Sequence, residues 1–546
     1  MSRMSAPATT RLLCAMALLL ATAGAQQTPV SKPTTVYRIA GTVVNAATGE
    51  PVRRATVAAL SASDHNTIES AETDSDGRFA LEGLAAAKYE LTSSRRGFLT
   101  TFYDEHEGHY NTAIVTGKGQ QTEDLIFRLT PAASLHGVVT DEGGDPVENA
   151  KVLLFLKPRS HNPGGRITQA AETTTDDTGA YDFGDLAPGE YFLAVSAKPW
   201  YALHHAVDVT KRQLDVVPST SLDVAYPITF FDSTTDEASA TPIVLAAGSH
   251  EEANISLHAV PALHLVFNPQ GVGDEYQGAS TLYQSIFGTH VSVGDLTLFP
   301  GAPPDFSAVA PGHYVAVQGV PERIMELDAK TSQQVDTSLG KPTIAVTGIT
   351  QTSNGTALQG QVKLTLESLE ITHQQESITT EYGTGEIEFL DVPQGNWELW
   401  AEKSGKALPV TSITVGTRTH AGNQLTVLDQ PLKVIATVSL SETRVEGYAR
   451  KDGKGLPGVM VVLVPKEPAA FRALARRDQS DSDGSFALRD VAPGQYTVVA
   501  IEDGWELDWE RPEVMGRYLP GGISVTVTES SGKLLRLSHE VPVQSR

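Results

Sequence analysis

Apolar and polar residues alternate at period two through much of the chain, the spacing that a strand with one buried face requires. Phe79 and Leu81, Tyr181 and Phe183, and Phe486 and Leu488 show it; Tyr191, Leu193 and Val195 repeat it beyond a turn. Five segments carry one ladder without gaps, each anchored on Leu81, Phe183, Phe306, Phe389 or Leu488. An aromatic residue, Tyr89, Tyr191, Tyr314, Trp397 or Tyr496, follows each anchor by eight positions. Leu84, Leu186, Val309, Val392 or Val491 stands three after the anchor, and Gly189, Gly312, Gly395 or Gly494 six after it, where the first copy has Ala87. Ala-Pro-Gly at 187–189, 310–312 and 492–494 predicts a tight turn in which Pro presets its φ and Gly supplies a positive φ. Each copy therefore reads as a hairpin, with Asp-x-x-Gly or Asp-x-Asp-Gly (74–77, 481–484) as the turn that feeds its first strand.

A second half-motif precedes three copies: Gly41-Thr42-Val43 leads to Pro51-Val52 and Ala55-Thr56-Val57, and Gly137-Val138-Val139 to Pro146-Val147 and Ala150-Lys151-Val152. The last copy runs from Gly447-Tyr448 to Gly458-Val459-Met460-Val461 with its proline displaced, and the third and fourth copies show no clear opening half. Strands that close a domain before a proline are expected at 126–130, 255–257 and 425–427. Short strands with turn signals every eight to twelve residues indicate antiparallel sandwiches. The anchors recur at intervals of 102, 123, 83 and 99 residues, one sandwich each. The expected organisation is all-β, a tandem array of about five Ig-like or prealbumin-like sandwiches at 34–130, 131–260 (with an extension), 261–345, 346–430 and 431–546. An extended array should have a radius of gyration well above the roughly 24 Å of a single globule of this size.

These residues resemble the carboxypeptidase regulatory-like module, a transthyretin-like or starch-binding-like sandwich. The resemblance covers the first, second and last units well and the middle two in part. It implies non-catalytic modules, with carbohydrate as the leading ligand; a scaffold or spacer that holds an envelope protein by edge and concave surfaces is the alternative, and a hydrolase with its site between sandwiches the third reading.

Composition narrows the setting. Arg3 and Arg11 precede the apolar run Leu12 to Leu20, which ends at Ala23-Gly24-Ala25, the pattern of a secretory signal over 1–25. The run is shorter than the roughly 20 residues a spanning helix needs. An exported protein, periplasmic or extracellular, without membrane insertion, is expected. Its one cysteine, Cys14, lies inside that signal, so the exported chain has neither disulfide nor thiolate site. A net charge of -24 argues against nucleic acid as a partner.

Candidate chemistry is sparse. His373-Gln374-Gln375-Glu376 matches a short zinc motif, but residues three apart on a strand point to opposite faces. His106-Glu107-Gly108-His109 could gather imidazoles and carboxylates on a loop, and His204-His205 would diverge on a strand. The acids of 74–77 and 481–484 resemble calcium loops, but Arg78 and Ser485 stand where a further oxygen ligand is needed, so turn chemistry is the simpler reading. No G-x-S-x-G elbow, H-E-x-x-H helix or phosphate loop occurs. The expectation is no catalytic residue, no metal site and no cofactor. Phe98, Trp200 and Trp505 recur just past the returning strand, a position suited to core or a corner between strands. Trp509, amid Glu506 to Glu510, is the leading candidate for a ring that stacks on sugar, with Trp505 beside it as the second ligand-binding candidate.

Overall fold

The computed structural model describes residues 36–158, 167–203, 221–267, 279–297, 305–318, 322–369, 375–379 and 385–546. The expected signal over 1–25, His204-His205 and His373 lie outside the described residues.

The fold is all-β, five sandwiches in tandem, and one plan recurs in each. The opening strand Tyr37–Asn45 pairs antiparallel with Arg78–Leu84 and parallel with Leu125–Leu129, which closes the unit. Thr56–Ser61 pairs with Thr67–Glu72 and Lys88–Ser94 to form the facing sheet. Opening strands at Ala133–Thr140, Leu263–Phe267, Ile344–Thr352 and Thr443–Lys451 each repeat this, with an antiparallel neighbour from the ladder and a parallel closing strand. The inward positions of the two sheets form the cores. In the first unit Ile39, Val43, Val57, Phe79, Leu81, Leu91 and Phe127 are all buried, each contributing about 1.5–3 kcal/mol through removal of apolar surface from water.

The ladder is not a hairpin. Arg78–Leu84 pairs with the opening strand, whereas Lys88–Ser94 pairs with Thr56–Ser61 in the other sheet. The turn between them therefore arches across the core, and the other four copies do the same. The recurring aromatic locks this arch. Its polar atom donates to the carbonyl four residues back: Tyr89 to Ala85 at 3.2 Å, Tyr191 to Ala187 at 2.8 Å, Tyr314 to Ala310 at 2.6 Å, Tyr496 to Ala492 at 2.8 Å, and Trp397 Nε1 to Pro393 at 3.0 Å. The ring fills the core while its tip satisfies a turn carbonyl that strand pairing leaves free, the logic of a tyrosine corner.

Gly189, Gly312 and Gly494 do not adopt the expected positive φ. They open the returning strand, and a Cβ there would lie 3.4, 3.3 and 3.0 Å from the locking tyrosine ring. Glycine eases the close approach of the ring; the first unit has Ala87 there and still forms the lock, at 3.2 Å. Left-handed backbone occurs earlier, at Gly83, Asp185 and Asp490, where the strand bulges just before the arch. The opening glycines have a similar cause: a Cβ on Gly41, Gly137 or Gly348 would fall 2.3, 2.1 or 1.7 Å from a carbonyl oxygen on the closing-strand side. Gly348 thus marks the opening half of the fourth unit, which the sequence pattern leaves unseen.

The fourth unit also runs further than 430. Leu432–Val438 is its closing strand, paired in parallel with Ile344–Thr352, while the expected closer at 425–427 pairs with Gly395–Lys403 in the opposite sheet. The extension in the second unit places Ile228 and Phe230 with Phe155, Ile286 and Val291, joining the second sandwich to the third through an apolar cluster.

Candidate functional site at the junction of the first and fifth sandwiches

The two tryptophans singled out in the sequence lie where the array returns on itself. Residues 503–521 form an insertion after the returning strand of the fifth unit. Trp505, Leu507, Trp509, Met515 and Tyr518 of this insertion pack on the outer face of the sheet, against Met460, Val462, Val499 and Ile501. Met460–Pro465 is buried at every position, because this insertion covers the face that would otherwise meet water.

The loop 103–116 of the first unit docks against this structure. The His106 ring stacks on Trp505 with centroids 4.8 Å apart and planes 12° apart, and Tyr110 tilts on the same indole at 5.0 Å. Arg477, its side chain only 6% exposed, grips Glu107 with both terminal nitrogens at 3.0 and 2.5 Å. Its guanidinium also lies 3.9 Å from the ring centre of Trp509, 4.8 Å from Tyr110 and 5.6 Å from Trp505. A two-toothed carboxylate bond together with three ring faces holds a cation that burial would otherwise make costly. Gln479 accepts at Oε1 from His106 Nδ1 at 2.9 Å, and its amide nitrogen donates to the Asp104 carbonyl at 2.6 Å and to Thr112 Oγ1 at 2.7 Å. Ser482 donates its N–H to the Ala113 carbonyl at 2.9 Å, and its hydroxyl accepts from Val115 N at 2.8 Å. Lys88 reaches the Asp481 carboxylate and Ser485 Oγ. Burial pushes the Asp481 carboxyl upward, and the Lys88 ammonium opposes that shift.

The array is therefore not extended end to end; its first unit contacts its last. Trp505 and Trp509 are half-buried in the contact, with Trp505 Nε1 donating to the Gly458 carbonyl at 2.9 Å. Phe98 is half-buried under Arg95, whose guanidinium sits 5.4 Å from its ring centre. Trp200 is the ring that meets solvent, 79% exposed, with Tyr201 edge-on at 5.8 Å. His106 and Glu107 turn to Gln479 and Arg477, while His109 tilts on Tyr110. No three His, Cys, Asp or Glu side chains among the described residues gather as a metal group would.

The acids of the calcium-like turns serve the backbone. Asp74 Oδ1 accepts from Asp76 N and Arg78 N, each at 2.9 Å, and Asp483 Oδ1 from Ser485 N at 2.9 Å. A buried hydroxyl just ahead of each turn makes a second recurring pin. Thr73 Oγ1 donates to Val52 O and accepts from Ala55 N; Thr175 does the same for Val147 and Ala150, and Ser480 for Leu456 and Val459. The constant spacing of that hydroxyl, four residues before Gly77, Gly179 and Gly484, is a signal that could have found it. Arg477 and Gln479 carry no such signal, because nothing in their own unit shows what they face.

A family model described as the carboxypeptidase regulatory-like domain matches twice, over residues 38–130 and 134–225. The chain is similar to a fibrinogen-binding protein of Staphylococcus epidermidis, 28% identical over 139 residues, covering 23% of this chain and 12% of that protein. It is likewise similar to a serine-aspartate repeat-containing protein F of the same species, 27% identical over 139 residues, covering 23% of this chain and 8% of the relative. The chain thus spans only about a tenth of the length of these curated relatives. Among solved structures, the Bacillus anthracis TIE protein aligns at a TM-score of 0.18 and 11% identity over 75% of this chain and 76% of its own. A streptococcal ancillary pilin aligns at 0.18 and 12%, over 55% and 98%. No helix among the described residues is long and apolar enough to cross a membrane. The first two of its five sandwiches thus each match the carboxypeptidase regulatory-like domain.

Proposed function

We propose that this chain is an exported, non-catalytic binding and structural protein of the cell envelope or the extracellular space, and that its partner is a protein. The observation that carries this reading is the use of Trp505 and Trp509. The two rings best suited by sequence to receive a sugar are half-buried between the first and fifth sandwiches, where they hold the array in one arrangement. Such a body presents fixed sheet edges and inter-unit clefts, surfaces that suit a folded or extended polypeptide. The similarity to a fibrinogen-binding protein and to a serine-aspartate repeat-containing protein supports a protein partner.

Carbohydrate is the second reading, and one observation favours it: the exposed Trp200 with Tyr201 beside it. In-cell cross-linking, followed by titration of the purified cross-linked protein against this chain and a parallel glycan panel, separates the two. The expected result is saturable binding of the protein and none of the glycans. Saturable glycan binding that disappears in Trp200→Ala, without a protein partner, would overturn the proposal.

A further inference from the structure

Strand pairing in the first sandwich sets Thr56 opposite Ser94, and this brings two arginine pairs, Arg53-Arg54 and Arg95-Arg96, to one end of the sheet. Arg54, Arg95 and Arg96 line an open cleft of about 770 Å³ between the first and second units, with Phe98 and Ser94 in its wall and Asp185 of the second unit across from them. None of these arginines forms an ion pair among the described residues, although the chain has 65 acidic residues to 41 basic ones. Three guanidiniums on one cleft wall, with only Asp185 opposite, make a local positive field on a chain of net charge -24. An anion that enters the cleft meets that field. The cleft between the fourth and fifth units is also rich in arginine, but there Arg472 pairs with Glu398 and Glu510, Arg477 with Glu107, and Asp478 and Asp490 share the lining. Of the two clefts, the first is the one in which none of the arginines has an ion pair among the described residues.

We infer that the cleft between the first and second sandwiches binds an acidic segment of a partner polypeptide, whose carboxylate or phosphate groups meet Arg54, Arg95 and Arg96. Guanidinium forks match such oxyanions in two-toothed geometry, and arginine clusters are a recurring means of reading acidic or phosphorylated peptide. The volume suits a few side chains. An acidic glycan fits less well: the cleft's one ring, Phe98, is half-buried and already has Arg95 over it, so no open face remains for a pyranose. The inference rests on the partner being a protein and adds its chemistry and its place.

The test is titration of the full chain with a fluorescent hexaglutamate peptide and its phosphoserine counterpart, beside inorganic phosphate, polygalacturonate and a neutral peptide. The expected result is saturable binding of the acidic peptides that weakens about tenfold or more between 50 and 200 mM salt. Binding should fall at least tenfold in R54Q/R95Q/R96Q with the melting curve unchanged. If that variant melts early, R54K/R95K/R96K, which keeps charge but loses the fork, should still bind several-fold more weakly than the parent. Peptide affinity unchanged in either folded variant would overturn the assignment, as would polygalacturonate or phosphate binding more tightly than peptide. A protein partner held equally well by the triple variant would sink this site and leave the proposed function standing.

Discussion

The turns Asp74-Ser75-Asp76-Gly77 and Asp481-Ser482-Asp483-Gly484 share a sequence and a backbone hydrogen-bond pattern. In both, the glycine N–H closes on the first aspartate carbonyl, at 3.1 and 2.8 Å, and the first aspartate N–H pairs with the carbonyl four residues on. Yet Asp74 spends its side chain on its own turn, accepting from Asp76 N and Arg78 N. In the fifth unit Asp483 takes over Ser485 N, which leaves Asp481 to receive Lys88 and Ser482 to pair with Ala113 and Val115 of the first unit. Two residues ahead of the pinning hydroxyl the contrast is sharper: the first unit has Ala71, the fifth the half-buried acid Asp478. One backbone device thus serves two ends, local closure in one unit and docking in the other. What decides between them is the chain that faces the turn.

The largest difference between the two regions should appear with pH. Desolvation pushes the Asp478 carboxyl up to about 7, against the backbone N–H of Ala487 that favours its charge. A carboxyl raised on folding contributes stability that is complete below the unfolded value and is lost as pH rises through the folded one. Urea unfolding of the fifth unit should therefore weaken between pH 4 and pH 8 by roughly 4 kcal/mol, because each tenfold change in proton affinity is worth about 1.4 kcal/mol. Asp478→Asn should remove much of that dependence, leaving the part that Asp481, whose carboxyl burial also raises, contributes in the same direction, and the first unit, with alanine in place of Asp478, should show less of it. Next is Arg477→Ala, which strips Glu107 and three rings of their cation; loss of about 2–4 kcal/mol of docking is expected, read as release of the 103–116 loop to hydrogen exchange while the fifth core stays protected. Smaller still, Asp74→Ala should cost the first unit about 1 kcal/mol of unfolding free energy, whereas Asp481→Ala should leave the fifth core stable and speed exchange at Val115. Tyr496→Phe, which keeps the ring and deletes the lock to Ala492, should cost about 1 kcal/mol in the fifth unit alone.

Much of this architecture can be read from residue spacing. The eight-step interval between Leu488 and Tyr496 reports a real mechanical unit, because the ring must reach back over an arch of fixed length. The same spacing cannot tell an arch from a hairpin, since both need a strand, a turn and a strand; which sheet each strand joins depends on partners far away in sequence. Gly494 gives room to the ring of Tyr496, and does not supply the positive φ that its Ala-Pro-Gly setting suggests. The site is less legible. Trp505 and Trp509 stand out because tryptophan is rare in this chain, but their neighbours His106, Tyr110 and Glu107 come from nearly 400 residues earlier. Nothing local marks Arg477 as the centre of a contact between the two ends of the array.

That contact is tested most directly by a disulfide. Ser482 N and the Ala113 carbonyl are 2.9 Å apart across the junction, so these two residues are neighbours between paired backbones. The only native cysteine is Cys14. Ala113→Cys combined with Ser482→Cys, in the chain without residues 1–25 and treated with mild oxidant, should cross-link within the monomer in high yield, with Arg477→Ala reducing the rate. Thiols that stay free, or that join only between molecules, would show that the first and fifth sandwiches do not meet.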